Sequence, residues 1–351
     1  MNFNPIENVN IKLIDPVLPP YYFKMQKCKR NNIKDIHKFV GESRDIIKKI
    51  YNGEDKRKLL IIGPCSIHDP KSALEFASKL KVFQEKVKTK FFVVMRTYFE
   101  KPRTTIGWKG LVYDPDLDNS IKINKGLEIC RNLLLDINEL KVPCSLEFLD
   151  VFTPEYFTDL ISWGAIGART TESPLHRHLA SGLSCPIGFK NGSRGNIDIG
   201  ISALETVINK NYFLGINDDG NIIKIETRGN KYCHMVLRGG IEPNYDKKSI
   251  ETITNKLKDN NVYSKVLIDC SHGNSCKSAN NQIKVINNLL WQIEETKNKN
   301  KILGLMIEAN LKFGKQSLDK IKDPSNLVYG VSITDECISF EQLEEIFIKI
   351  N

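Results

Sequence analysis

Leu59-Leu60-Ile61-Ile62-Gly63-Pro64-Cys65 is a short apolar, β-branched run that empties through a turn onto a reactive side chain. Seven further runs have the same form. Phe92-Val93-Val94-Met95 ends in Arg96, Pro143-Cys144-Ser145-Leu146 in Glu147, Ala165-Ile166-Gly167-Ala168 in Arg169, and Pro186-Ile187-Gly188-Phe189 in Lys190. Met235-Val236-Leu237 ends in Arg238, Val266-Leu267-Ile268 runs into Asp269-Cys270-Ser271-His272, and Ile302-Leu303-Gly304-Leu305-Met306-Ile307 ends in Glu308. Continuous apolar strands must be covered on both faces. Eight of them, separated by segments long enough for helices, predict an α/β fold, the (β/α)8 barrel. In that architecture the C-terminal strand ends form the active-site face, so the same pattern places the chemistry.

Working outward, residues 57–351 supply the barrel and residues 1–56 precede it. The leading segment carries Pro16, Pro19 and Pro20, then a helix over Ile33–Tyr51 closed by Asn52-Gly53. It is expected to serve as a barrel plug, a subunit contact or a regulatory arm. Helices are predicted over 70–88, 120–139, 154–162, 173–182, 197–209, 247–259, 277–296 and 340–349. Asp69-Pro70, Thr153-Pro154 and Ser173-Pro174 each place proline in the first turn behind a capping side chain. Two stretches break the rhythm. Residues 97–119 form a long connection after the second strand, and residues 212–227 read as an inserted hairpin turning at Asp218-Asp219-Gly220.

With 41% hydrophobic and 26% charged residues the chain is a folded protein rather than a disordered one. No apolar run approaches the ~18 residues of a membrane span, and the start lacks the features of a secretory signal. A cytoplasmic location is expected, with no membrane partner. Nine scattered cysteines then read as reduced thiols, most of them small buried hydrophobes. The net charge of +9 raises nucleic-acid binding, but the lysines are dispersed without a dense basic block, so no nucleic-acid partner is expected.

Cys65, His272 and Glu308 follow or end strands that are neighbours around a closed barrel, and Asp335 lies shortly beyond the last of them. A thiolate, an imidazole and two carboxylates suit Zn²⁺, Fe²⁺ or Mn²⁺ without selecting one. A lone buried cysteine or solvated aspartate is commonplace; four such groups on adjacent strand ends are not. Cys65 as a nucleophile with His272 as its base is a second reading, which leaves Glu308 and Asp335 without a role. Six cations, Arg96, Lys101, Arg103, Arg169, Lys190 and Arg238, lie at strand ends or beside them. One such arginine is ordinarily a rim salt bridge. The set would repel itself without an anion and favours a phosphorylated substrate. Lys190 also fits a Schiff-base lysine, which a metal site makes unnecessary.

Gly63-Pro64-Cys65-Ser66-Ile67-His68, Lys101-Pro102-Arg103-Thr104-Thr105, Gly164-Ala165-Ile166-Gly167-Ala168-Arg169-Thr170-Thr171-Glu172-Ser173, Gly188-Phe189-Lys190-Asn191-Gly192 and Leu237-Arg238-Gly239-Gly240 resemble the bacterial class I 3-deoxy-D-arabino-heptulosonate 7-phosphate synthases. The resemblance covers nearly the whole chain. It implies condensation of phosphoenolpyruvate with erythrose 4-phosphate and water, the first step towards chorismate and the aromatic amino acids. It implies one divalent ion (Mn²⁺, Fe²⁺, Zn²⁺ or Co²⁺) on Cys65, His272, Glu308 and Asp335. Phosphoenolpyruvate contacts fall on Arg96, Lys101, Glu147, Ala168, Arg169, Lys190 and Arg238, and the aldose phosphate on Arg103 and Thr104. Lys101, His272 and Cys65 are the implied catalytic residues, with Lys101 placed to donate a proton to the forming alkoxide and Glu147 to orient water.

The same family is inhibited by Phe, Tyr or Trp beside the inserted hairpin. Matching positions are Val151, Glu155, Leu183, Ser184, Phe213, Gly215 and Ile225, with Glu7 and Asn8 reaching over from a neighbouring subunit of a homodimer or homotetramer. Gly215 stands where the Phe-sensitive type commonly has serine. Asn52-Gly53-Glu54-Asp55-Lys56-Arg57 and Gly229-Asn230-Lys231-Tyr232 look more like the Trp-sensitive type, so tryptophan is the expected inhibitor. A non-catalytic barrel that binds phosphorylated metabolites or nucleic acid is the alternative, and it has no need of the four-ligand set. A related synthase using arabinose 5-phosphate is the close enzymatic rival, and Lys101-Pro102-Arg103-Thr104 resembles the erythrose 4-phosphate type.

Overall fold

The computed structural model describes residues 14–103, 107–295, 297–318, 321 and 323–348. Its strands are β1 (Lys58–Gly63), β2 (Phe91–Arg96), β3 (Cys144–Glu147), β4 (Trp163–Ile166), β5 (Ile187–Lys190), β6 (Tyr212–Ile216), β7 (Ile222–Glu226), β8 (Cys233–Leu237), β9 (Val266–Asp269), β10 (Ile302–Asn310) and β11 (Ile338–Ser339). Helices are α1 (Pro20–Tyr22), α2 (Ile33–Asn52), α3 (Pro70–Val87), α4 (Ile123–Glu139), α5 (Pro154–Phe157), α6 (Pro174–Gly182), α7 (Asp198–Val207), α8 (Lys247–Asp259), α9 (Ala279–Glu295) and α10 (Phe340–Ile348). The parallel order β1-β2-β3-β4-β5-β8-β9-β10 closes through a β1–β10 pairing, which makes the expected (β/α)8 barrel. Strands β6 and β7 form the expected antiparallel hairpin outside it.

Side-chain alternation divides each buried strand between two cores. Leu59, Ile61, Val94, Trp163, Ala165, Val236, Leu267 and Met306 fill the barrel interior. Leu60, Ile62, Val93, Met95, Ile166, Leu237 and Ile268 belong to the larger core shared with the helices. The interior set explains the mouth: Arg96 follows Val94 by two residues, Arg238 follows Val236, Asp269 follows Leu267 and Glu308 follows Met306. Period two therefore sends these charges to the interior face at the strand ends. Gly188 has no side chain because a Cβ there would meet Trp163 Cζ2 at 2.4 Å.

Helix α2 of the leading segment packs against the barrel. Ile47 joins the barrel-interior cluster, Tyr51 Oη donates to Cys233 O at 3.1 Å, and Arg44 donates to Thr158 O and Ile161 O. The helix stops where Gly53 takes a left-handed φ of 80°, as the Asn52-Gly53 signal predicts. Ahead of it, the arm lies on the hairpin tip and on α4: Tyr21 N donates to Asp218 O, and Leu18 N to Asn124 Oδ1.

Three details correct the sequence reading. Strand β4 spans Trp163–Ile166 rather than Ala165–Ala168, so Arg169 is not a strand end. It lies in the turn that follows, where Thr170 N returns to Gly167 O at 3.0 Å. Asp69 caps α3 as expected, accepting from Lys71 N, but Thr153 and Ser173 do not cap. Their hydroxyls are taken by Glu100 Oε2 and His176 Nδ1 instead. The predicted helix over 154–162 ends as a 3-10 turn at Leu160.

Candidate active site

One cavity of about 160 Å³ opens at the C-terminal end of the barrel. It is lined by Cys65, Arg96, Lys101, Arg103, Glu147, Ala168, Arg169, Lys190, Arg238, His272, Glu308 and Asp335, which are all the expected catalytic, metal and substrate residues within the described chain. Thr104 lies outside the described residues.

Ligand atoms of Cys65, Glu308 and Asp335 fall within 4.8 Å of one another. His272 is not in that mutual set, but its Nε2 is 3.8 Å from Glu308 Oε1. The other imidazole nitrogen, Nδ1, is 2.9 Å from Asp269 Oδ2, at ion-pair distance rather than in an aligned hydrogen bond. A carboxylate behind one nitrogen leaves the other turned towards the site, as in metal-binding histidines generally. His272 itself holds a φ of 55°, a left-handed backbone that costs energy in a residue with a Cβ. Glu308 is fixed on every side: Arg96 Nη2 donates to Oε1 at 3.1 Å, Ser271 Oγ to Oε2 at 2.8 Å, and Gln282 brackets its backbone.

This donor set fits a borderline divalent ion. Burial, reinforced by Glu308, pushes the Cys65 thiol up to about 11, so a bound cation is what would bring it to thiolate. Burial would also raise Glu308 and Asp335, yet their neighbours outweigh it: His272 and Arg96 lower the first, Lys101 and His272 the second. Lys101 Nζ donates to Cys65 Sγ at 2.9 Å and to Asp335 Oδ2 at 3.2 Å. Burial alone would depress Lys101, but Cys65, Asp335 and Glu308 hold it above its ordinary value, as an ammonium.

The remaining cations divide by partner. Lys190 Nζ is 2.9 Å from Asp269 Oδ2, and Arg96 pairs with Glu308. Among the described residues, no carboxylate lies within ion-pair distance of Arg103, Arg169 or Arg238. Arg103 Nε donates to Trp108 O and Arg238 Nη1 to Ser193 O. Three guanidinium groups thus face one cavity with no protein carboxylate at ion-pair distance, an arrangement that suits a substrate with phosphate and carboxylate groups. Glu147 reaches the cavity because Gly167 leaves it room: a Cβ there would be 2.0 Å from Glu147 Oε1.

The DAHP synthetase I family pattern matches residues 30–347. The chain belongs to the DAHP synthetase I family. The Phe-sensitive phospho-2-dehydro-3-deoxyheptonate aldolase of Escherichia coli K12 is 46% identical over 338 residues, 96% of this chain and 94% of that protein. The Trp-sensitive protein of that name from Salmonella typhimurium is also 46% identical, over 89% of this chain and 88% of its own length. A solved phospho-2-dehydro-3-deoxyheptonate aldolase from Francisella tularensis SCHU S4 superposes with a TM-score of 0.91 at 44% identity, covering 97% of this chain and 98% of the other. Identity therefore does not choose between Phe and Trp sensitivity.

Sequence reasoning assigned no role to Asp269, Glu100, Ser193 or Lys277. The last three line the cavity, and Asp269 supports two groups that do. Asp269 was findable, because it follows interior Leu267 by two residues. Glu100 gave no signal between Phe99 and Lys101, yet it is buried, and burial with Asp150 raises it to about 8.

The expected inhibitor residues are only partly together. Leu183, Ser184 and Ile225 line a pocket of about 580 Å³ beside the hairpin. Phe213 is paired with Ile225 across the hairpin, and Gly215 makes room for the Ile225 side chain. Val151 and Glu155 do not line that pocket, and Glu7 and Asn8 lie outside the described residues.

Proposed function

We propose that the chain condenses phosphoenolpyruvate with D-erythrose 4-phosphate and water, giving 3-deoxy-D-arabino-heptulosonate 7-phosphate and phosphate, the first step towards chorismate and the aromatic amino acids. Family membership supports the reaction. The observation that carries it is one cavity holding both the Cys65–Glu308–Asp335 cluster beside His272 and three guanidinium groups with no protein carboxylate at ion-pair distance. A barrel that merely bound phosphorylated metabolites would have no use for the first half of that arrangement.

A divalent ion on Cys65, His272, Glu308 and Asp335 would supply Lewis-acid polarisation of the aldehyde oxygen. Arg169, Arg238, Lys190 and Arg96 bind the phosphate and carboxylate of phosphoenolpyruvate, and Arg103 with Thr104 binds the aldose phosphate. C3 of phosphoenolpyruvate attacks the aldehyde carbon, and positive charge develops at C2. Water adds at C2, the hemiketal phosphate loses its C–O bond, and phosphate leaves. Lys101, held as an ammonium between Cys65 and Asp335, donates the proton that the forming alkoxide takes up. Glu147 orients the water.

Residues 57–351 form the catalytic unit and 1–56 an extension that plugs the barrel floor and reaches the hairpin. An aromatic amino acid, tryptophan ahead of phenylalanine, inhibits from the pocket beside the hairpin, and a homodimer or homotetramer completes that pocket. The place of action is the cytoplasm, and among the described residues no helix is long and apolar enough to cross a membrane. The discriminating assay follows phosphoenolpyruvate loss with erythrose 4-phosphate and separately with arabinose 5-phosphate. Turnover with the four-carbon sugar alone is expected; preference for the five-carbon sugar would overturn the assignment.

A further inference from the structure

The positive charge that the sequence shows as dispersed becomes concentrated once the chain folds, at the end of the barrel opposite the active site. Lys56, Arg57 and Lys58 lead into β1, Lys265 directly precedes β9, and Lys299 lies in the 3-10 turn before β10. The parallel pairing of β1 with β10 and of β10 with β9 brings these strand starts side by side. There they line a recess of about 220 Å³. Five cations meet one carboxylate in that lining, and the carboxylate, Asp55, is already spent on Arg57 at 2.6 Å.

Three of the four ammonium groups donate to backbone oxygens rather than to anions. Lys58 Nζ donates to Lys299 O and Ile302 O, Lys56 Nζ to Gly53 O, and Lys265 Nζ to Tyr51 O at 3.4 Å. Among the described residues, no carboxylate lies within ion-pair distance of Lys56, Lys58, Lys265 or Lys299. An ammonium has three donors, so each of the four retains hydrogen-bonding capacity beyond these contacts. Gly53 keeps the wall open, since a Cβ there would stand 3.3 Å from Lys265 Nζ. The mutual repulsion is registered in the groups themselves: burial, then Lys265 and Lys299, bring Lys58 down to about 8. Lys265 is lowered by burial and by Lys56. An anion entering the recess would relieve that repulsion.

We propose that this floor recess, formed by Lys56, Lys58, Lys265 and Lys299 around Gly53, is a second anion site, which takes one dianionic phosphate group, free or carried by a small metabolite. Its size favours a single such group over a nucleic-acid backbone, which needs a track of cations along a surface. The site is independent of the chemistry at the barrel mouth, about 15–20 Å away along a six-residue strand.

The test is calorimetric titration of the full chain with inorganic phosphate, run beside two variants. Arg238→Ala weakens phosphate at the mouth only. Lys56→Glu with Lys299→Glu changes two exposed residues and leaves the mouth intact. Binding should survive Arg238→Ala and weaken at least roughly tenfold, about 1.4 kcal/mol, in the floor variant, with the variant's turnover unchanged. A second readout needs no variant: phosphate should slow acetylation of Lys56 and Lys299 in the native chain relative to exposed Lys71. Phosphate binding that is absent, or equal with and without the floor substitutions, together with unprotected lysines, would overturn the proposal and leave these lysines as caps on carbonyl groups.

Discussion

Asp269 Oδ2 lies 2.9 Å from His272 Nδ1. The same oxygen is 2.9 Å from Lys190 Nζ, so one buried carboxylate orients an expected metal ligand and an expected phosphoenolpyruvate cation together. Burial would raise Asp269, but His272 and Lys190 outweigh it and hold it well below the ordinary range. Asp269→Asn preserves shape and removes the charge. Metal affinity should fall about 10–100-fold, and the KM for phosphoenolpyruvate should rise in the same variant. A change in one property without the other would show that the two roles are not joined through this residue.

Metal dependence is the second expectation. A chelator should abolish turnover, and Mn²⁺ or another divalent ion should restore it. Cys65→Ala should lose bound metal and activity together, because a methyl group cannot replace a thiolate. Elemental analysis alongside kinetics checks this, and a metal-free Cys65→Ala protein with native turnover would contradict it.

Arg103→Ala should act chiefly on erythrose 4-phosphate, whereas Lys190→Ala and Arg238→Ala act on phosphoenolpyruvate. A lost charge-assisted contact to phosphate costs about 1.5–3 kcal/mol, roughly ten- to a hundredfold. Steady-state kinetics with each substrate varied separates the cases, and equal effects of Arg103→Ala on both substrates would undo the division.

The fold was legible because eight apolar runs each carried a reactive polar side chain at the same end, which fixes both burial and direction. The meeting of Cys65, Glu308 and Asp335, with His272 beside them, followed from three neighbouring strands and the segment beyond the last. What the sequence hid was tertiary. Arg169 reads as a strand end because Ala165–Ala168 is uniformly apolar, but Gly167 starts a turn. Thr153 and Ser173 look like caps, and only the folded chain reveals that Glu100 and His176 claim their hydroxyls. The floor lysines are far apart in sequence, Lys56 to Lys299, and no local pattern announces them.

Stability should depend on acid through Asp159. Burial would raise its carboxyl, but Arg131 and His37 outweigh it, with Arg131 Nη2 at 2.7 Å from Oδ2. A depressed folded-state pKa contributes stability above the unfolded value of about 3.9 and loses it as pH falls through the folded one. Asp159→Asn leaves buried Arg131 uncompensated and should cost about 3 kcal/mol at neutral pH. Denaturant unfolding at pH 7 and pH 3 tests this: the variant's deficit should shrink in acid, and a constant deficit would contradict the linkage.

Feedback should come through the arm and hairpin. Removing residues 1–20 breaks the Leu18–Asn124 contact and removes Glu7 and Asn8. Inhibition by an aromatic amino acid should be relieved while metal content stays unchanged. A truncated chain inhibited normally would remove the arm from the pocket.

The most direct measurement follows phosphoenolpyruvate and phosphate together in the metal-free and metal-loaded chain, with erythrose 4-phosphate present. The loaded chain should consume phosphoenolpyruvate and release phosphate one for one, and the metal-free chain should do neither. Full turnover without metal, or no turnover in a chain that holds its ion on Cys65, His272, Glu308 and Asp335, would contradict the account.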